Sequence, residues 1–221
     1  MKINEIEQNV KRSIPYEGID RIIATLDKEC GESLQAIKAA GSFLYRGIRV
    51  GGTTTSPTWK PRILQGNSPT IFKASSRTNR KPVDTPNQIQ NMIDGALEAT
   101  GFKALRSNSI FCSGYKAAAM NYGIPYLIFP LDGFDFTWSK AYADLYSDII
   151  EDLESNEEHR ELFFYRFEYD PGEWIFDIAR YDNASLVTAI KSNHEIMIRG
   201  EYYAIHHQFQ PVLDRFIFKS M

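Results

Sequence analysis

The spacing of apolar residues predicts helices at the front of the chain. Between residues 4 and 40 they recur at helical spacing, in the order Ile6, Val10, Ile14, Ile19, Ile22, Ile23, Leu26, Leu34 and Ile37, which is the pattern of amphipathic helices. Pro15 and Gly31 interrupt this pattern, because proline lacks an amide hydrogen and glycine favours helix ends. We therefore expect residues 1–41 to form a helical N-terminal part made of several pieces.

Alternating and β-prone residues predict strands in the rest of the chain. The segment 42–50, SFLYRGIRV, carries Arg46, and residues 124–131 form an almost continuous apolar run, as expected of strands. Shorter strands are expected at 109–113, 162–169 and 174–179, and a hairpin at 195–198 and 202–206 across Arg199-Gly200. Helices are expected at 85–100, 115–122, 139–154 and 185–191. The mixture indicates one α+β domain over residues 1–221.

Composition excludes several classes of protein. With 43% hydrophobic and 24% charged residues, the 221-residue chain resembles a globular domain and not a disordered or fibrous one. Cys30 and Cys112 are too few for a disulfide framework and show no zinc-ligand spacing, so no metal is expected. No segment approaches the ~18 apolar residues of a membrane span, so we expect a soluble, cytoplasmic protein without a membrane partner.

The net charge of −3 hides an uneven distribution. Residues 33–83 contain nine basic residues and no acid, whereas residues 144–173 contain eleven acids and two arginines. Within the basic stretch, residues 51–82 are rich in Gly, Pro, Ser and Thr, so regular structure should be sparse there. This loop is suited to an anion such as a cofactor phosphate or nucleic acid, and a solvated basic loop is the alternative.

Three short segments occur in a set order: LYRGI at 44–48, SIFCSGYKAAAMNYG at 109–123 and SNHEIMIRGEYYAI at 192–205. Together they resemble the Arg-Ser-Glu signature of the mono-ADP-ribosyltransferase superfamily, and the first and third are most similar to the T4-type bacteriophage enzymes. The resemblance covers residues 43–48 and 104–206 with gaps. It implies an ADP-ribosyltransferase-like split β core of two packed sheets in residues 42–221, preceded by a helical segment, with NAD bound as substrate.

The resemblance implies a role for each matching residue. Arg46 matches the arginine that braces the pyrophosphate side of the cofactor, Ser113 the serine that orients the site, and Glu195 the catalytic glutamate. Two aromatic residues, Phe111 and Tyr122, are eleven positions apart, like those that sandwich nicotinamide in the poly(ADP-ribose) polymerase branch. The implied catalytic set is Glu195, Arg46 and Ser113, and the implied cofactor-binding set is Arg46, Gly47, Phe111, Ser113 and Tyr122.

Two positions depart from the family pattern. Members that modify arginine usually carry Glu or Gln two residues before the catalytic Glu, whereas this chain has Asn193, whose shorter side chain reaches less far towards a target guanidinium. The residues after Ser113 also differ from the usual Thr and Ser, so Ser107 and Ser109 remain rival candidates.

These residue types suit cleavage of the nicotinamide–ribose bond, which passes through an oxocarbenium-like state. A fixed carboxylate stabilises positive charge on the ribose, and a guanidinium matches phosphate oxygens with its fork of donors. We expect a bacteriophage-type transferase that acts in the host cytoplasm, passes ADP-ribose from NAD to a host protein and releases nicotinamide. Two alternatives stay open: an NAD glycohydrolase, and a catalytically inactive virion or host-interaction protein of the same fold.

Overall fold

Two antiparallel sheets and the helices packed on them make up the fold. The computed structural model describes residues 16–48, 62–63, 71–78 and 85–218. Within these residues the first sheet has the order β1-β5-β9-β3-β2 and consists of Leu44–Ile48 (β1), Ile124–Pro130 (β5), Glu201–His206 (β9), Ile71–Ser75 (β3) and Arg62–Ile63 (β2). The second has the order β4-β8-β6-β7 and consists of Ile110–Cys112 (β4), Ile196–Arg199 (β8), Asp135–Ser139 (β6) and Tyr181–Asp182 (β7). The α+β expectation is thus confirmed.

Helices precede, connect and follow these strands. The α-helices of the described residues are Tyr16–Glu29 (α1), Gly31–Ala40 (α2), Asn87–Ala99 (α3), Lys116–Met120 (α4), Glu151–Ser155 (α5), Glu157–Tyr169 (α6), Pro171–Glu173 (α7), Leu186–Ser192 (α8) and Gln210–Ile217 (α9). Two π-helical turns occur at Tyr146–Ile150 and Trp174–Ile178, and a 3-10 turn at His207–Phe209. The described helices include none that is long and apolar enough to cross a membrane.

Strand β8 lies between two apolar clusters. Its alternate side chains point to opposite faces of the sheet, so Ile196 and Ile198 enter one cluster and Met197 enters the other. The first cluster joins the first sheet to α1 and α2, with Phe43, Leu127 and Phe129 among its fully buried members. The second joins α3, α5 and α6 and includes Ile93, Leu97 and Trp174. The residue just before β8 therefore lies where both cores meet.

Several expectations from the sequence are wrong. Residues 162–169 belong to α6 and 174–178 form a π-helical turn, because their buried aromatic side chains pack into the second cluster at helical spacing. Ser139 ends β6 and does not open a helix, and helical structure begins only at Tyr146. Strands β2 and β3 both lie within the segment 51–82, where the composition predicts sparse regular structure.

The hairpin expected across Arg199-Gly200 is also wrong. β8 pairs with β4 and β6, whereas β9 pairs with β3 and β5. Gly200 adopts a φ of 135°, a conformation that glycine reaches without strain. The chain therefore passes at this one residue from the second sheet into the first.

Candidate functional site

A main-chain bridge between Tyr45 and Ser113 joins the two sheets. The N–H of each residue donates to the carbonyl of the other, with distances of 2.8 and 2.9 Å. The bridge brings Ser113, which follows β4, next to the strand residue that precedes Arg46. The Arg46 guanidinium reaches across to β4, and its Nη1 donates to the Phe111 carbonyl at 3.4 Å. The first two motif segments are thus in contact.

The third motif segment reaches the same place through β8. Cys112 pairs with Ile196, so Ser113 and Glu195 lie at the same end of the β4–β8 pair. The Ser113 hydroxyl donates to the Asn193 carbonyl at 2.8 Å. The structure therefore brings together the chain segments that carry Arg46, Ser113 and Glu195, although they are far apart in the sequence.

The Glu195 carboxylate is paired with an arginine that the sequence analysis missed. Arg106 Nη1 donates to Glu195 Oε1 at 2.8 Å, and the two side chains are only 9% and 24% exposed. Burial is the largest single effect and lowers the pKa of Arg106. The charges of Glu195, Tyr181 and Asp94 and the hydrogen bond to Glu195 together outweigh burial and raise that pKa above its ordinary value. Glu195 thus lies opposite a fixed positive charge.

Neighbouring groups hold Arg106 in position. Its backbone N–H and that of Ser107 donate to the Asp94 carboxylate at 2.7 and 3.0 Å. Its guanidinium carbon lies 4.8 Å from the centre of the Phe111 ring, which is cation–π geometry. Among the described residues Arg106 Nε is buried without a hydrogen-bond acceptor. Phe111 therefore contacts the counter-ion of Glu195.

The rival serines lie in the loop before β4. The Ser109 hydroxyl donates to the Asn108 side chain at 3.1 Å, and the Ser107 N–H donates to Asp94. Both sets of contacts shape the loop that carries Arg106. Ser113, by contrast, belongs to the bridge between the sheets.

A small cavity lies beside Glu195. Its lining residues are Ser139, Tyr142, Leu145, Tyr181, Glu195 and Met197, and its free volume of about 10 Å³ has room for a single water. Residues 140–145 cover this side of the site, since the Ala143 carbonyl accepts the Glu195 N–H at 2.8 Å. The Asp148 carboxylate fixes the covering segment by accepting the N–H groups of Ala143 and Asp144 at 2.6 and 3.1 Å.

Tyr122 lies at the outer rim of the covering segment. It is half exposed, and its hydroxyl donates to Asp144 Oδ2 at 3.0 Å. Phe111 and Tyr122 thus take part in different contacts, one beneath Arg106 and the other at the surface. Gly47 has a packing reason to be glycine: a Cβ there would collide with the main chain of Ala119 and Gly123.

Asn193 ends α8 in the left-handed conformation, with φ 64°. Apart from glycine, asparagine is the residue that adopts this conformation most readily. The backbone therefore explains why asparagine stands two residues before Glu195.

Arg46 shares a row of side chains with two residues that the sequence analysis did not select. Arg46 pairs with Tyr126, which pairs with His206, and directly opposed residues point to the same face of a sheet. His206 Nδ1 accepts the Gln208 N–H at 3.3 Å, which places the proton of the neutral ring on Nε2. Burial, His207 and Lys116 lower the pKa of His206 to about 4.

Most of the basic loop 51–82 lies outside the described residues, so its binding of phosphate or nucleic acid stays a prediction.

In the part of the chain that the structure describes, no cluster of three or more His, Cys, Asp or Glu side chains could hold a metal ion. No family model, no curated protein and no solved structure matches this chain.

Proposed function

We propose that this protein cleaves the nicotinamide–ribose bond of NAD and transfers ADP-ribose to a macromolecular acceptor, most simply a host protein. One observation carries the proposal: the Tyr45–Ser113 bridge and the Cys112–Ile196 pair bring three distant motif segments to one edge of the fold. Each segment contributes one side chain of the type that the reaction needs. An ADP-ribosyltransferase-like split β core is part of the same proposal, and the two antiparallel sheets agree with it.

In the proposed reaction the bond between ribose C1 and the nicotinamide nitrogen breaks, and its electron pair leaves with nicotinamide. The nitrogen of nicotinamide in NAD is positively charged, so the leaving group departs neutral and needs no acid. The acceptor nucleophile forms the new bond to C1 and loses its proton. Glu195 stabilises the cationic sugar between these steps, as preorganised charges do, by ~3–4 kcal/mol.

Arg46 and Arg106 have different tasks in this proposal. Arg46 is half-buried at the edge of the first sheet, where its guanidinium would bind the pyrophosphate. Arg106 is a positioning residue, because its 2.8 Å contact holds the Glu195 carboxylate in one orientation. The cavity beside Glu195 is too small for a ribose, so binding of NAD would displace the covering segment 140–145.

Hydrolysis of NAD is the second candidate, and Asn193 favours it. Enzymes of the superfamily that modify arginine carry Glu or Gln at this position. Here the left-handed backbone conformation alone accounts for the presence of asparagine. A water could then take the place of the acceptor at C1. An inactive protein of the same fold is the third candidate.

Incubation with NAD that carries label in the adenylate half, in the presence and absence of host lysate, separates the candidates. The matched variant is Glu195→Gln, because its amide oxygen can still accept from Arg106 while the charge is lost. Labelled protein from wild type alone supports transfer, and release of nicotinamide without labelled macromolecule supports hydrolysis. Equal labelling or equal nicotinamide release by wild type and variant would sink the assignment of Glu195.

A further inference from the structure

Helix α6 carries apolar side chains on two opposite faces. Phe163 and Phe167 are buried against Trp174, with ring centroids 5.6 and 5.2 Å apart. On the other face Leu162, Tyr165 and Tyr169 are exposed by 47%, 57% and 74%. These three residues follow one another at intervals of three and four positions, so they form one line along the helix. We call this line the aromatic stripe.

The fold does not explain the aromatic stripe. Core contacts of α6 come from its other face, and a solvent-facing helix surface normally carries polar residues. The Tyr165 and Tyr169 rings lie 4.6 Å apart, so they form one continuous apolar surface. Single exposed apolar residues are ordinary, whereas contiguous ones mark interaction sites.

Acidic residues run along one edge of the aromatic stripe. Glu161 and Glu168 lie two turns apart along this edge, and Glu158 extends the line of the stripe one turn before Leu162. All three carboxylates are on exposed residues. Arg166 is exposed on the opposite edge. The surrounding segment 144–173 has eleven acids against two arginines, so a partner on the stripe meets negative charge.

We propose that the aromatic stripe binds an amphipathic basic helix of a protein partner. An apolar core with a charged rim is the usual make-up of such an interface, and tyrosine faces attract arginine and lysine. The acidic rim disfavours nucleic acid and anionic lipid, which both carry negative charge. The inference does not depend on NAD chemistry. If the proposed function holds, we expect the acceptor protein to contain this basic helix.

The test uses the full chain and a fluorescein-labelled peptide of about 18 residues, five helical turns, with leucines on one face and lysines or arginines on the other. A peptide with glutamates in place of the basic residues is the matched probe. Wild type should bind the basic peptide alone. Tyr165→Ser/Tyr169→Ser should weaken binding at least about tenfold, whereas Tyr115→Ser, which changes an equally exposed tyrosine elsewhere, should change it less than twofold.

The charged rim is tested by Glu161→Gln/Glu168→Gln, which should flatten the salt dependence of binding. Far-UV circular dichroism and thermal unfolding check that each variant is folded. Equal affinity of wild type and the Tyr165→Ser/Tyr169→Ser variant overturns the proposal, as does equal weakening by Tyr115→Ser. Sedimentation of the free chain tests whether a second copy of the chain occupies the stripe. A dimer that dissociates in the Tyr165→Ser/Tyr169→Ser variant would show that the stripe is a self-association surface and would also overturn the proposal.

Discussion

The Arg106 guanidinium contacts the Glu195 carboxylate at 2.8 Å across a separation of 89 residues in the sequence. Arg106 is almost fully buried and Glu195 is about three-quarters buried, so neither charge is well solvated alone. Removal of one member of such a pair costs more than removal of both, because it leaves an uncompensated charge in the interior.

Arg106→Met should therefore lower the free energy of unfolding by about 2–4 kcal/mol, somewhat less than for a fully buried pair because Glu195 is partly exposed. Arg106→Met/Glu195→Gln should recover part of that loss. Urea unfolding of the wild type, both single variants and the double variant completes a double-mutant cycle. Additive losses would show that the contact contributes no coupling.

The proposed roles of Glu195 and Arg46 predict different kinetic defects. Glu195→Gln should lower kcat for nicotinamide release by about 100- to 1000-fold with little change in NAD affinity. Arg46→Lys keeps the charge but loses the fork of donors, so it should raise KM for NAD by about tenfold and change kcat little. The same pattern of kcat and KM in both variants would contradict the division of roles.

If the protein binds NAD as proposed, binding should open the segment that covers Glu195. The Glu195 N–H now donates to the Ala143 carbonyl, and hydrogen exchange reports such bonds residue by residue. We expect faster exchange of amides 143–145 and 195 when NAD is present. Slower exchange there, with the cavity unchanged, would mean that the cofactor reaches the carboxylate by another route.

Gly47→Ala should destabilise the protein by about 1–3 kcal/mol or more, because the new methyl group meets main-chain atoms of α4 and the turn after it. Gly95→Ala is the matched control: this glycine lies within α3 with open space around it, so alanine should stabilise the helix by about 0.5–1 kcal/mol. Thermal unfolding measures both. A neutral Gly47→Ala would refute the close approach of α4 to β1.

His206 should make stability depend on pH. Burial lowers its pKa from 6.5 to about 4, so the unfolded chain binds this proton at higher pH than the folded chain does. The stabilisation is complete above about pH 6.5 and is lost as the pH falls towards 4. Because the ring is partly exposed, solvent screening reduces this loss to about 1 kcal/mol. His206→Asn keeps an acceptor for the Gln208 N–H and should flatten unfolding free energy between pH 4 and 6.5. An unchanged slope would assign the effect to other groups such as His207.

The local spacing of apolar residues is sufficient to predict the helices and strands in which that spacing has one clear period. The apolar spacing is alternating in β1, continuous in β5 and helical in α3, and it predicts each element close to its actual position. The sequence predicts a strand at 162–169 in place of α6, because the apolar residues of this helix lie on two faces, which removes the helical period. The apolar residues on the second face of α6, which hide its helical period in the sequence, are the ones that form the aromatic stripe.

Long-range contacts were beyond the reach of the sequence. Arg106 follows Ala104 and Leu105, and nothing local distinguishes it from a surface arginine; its burial depends on Glu195 and Asp94. The sequence predicts a hairpin at Gly200, where the chain in fact passes between the sheets, because a short polar connection between two strands is the usual hairpin signal. The segments that carry Arg46, Ser113 and Glu195 do lie next to one another in the fold, and the roles of these three side chains stay predictions.

The bridge between Tyr45 and Ser113 uses only main-chain atoms. The backbone therefore holds residue 113 at the junction of the sheets, and a side chain no larger than serine leaves this bridge in place at the buried position. Ser113→Ala removes a hydroxyl and its bonds to Asn193 and Tyr115 while the junction stays closed. At position 113 a side chain of similar or smaller size can thus change the chemistry of the edge without changing its shape.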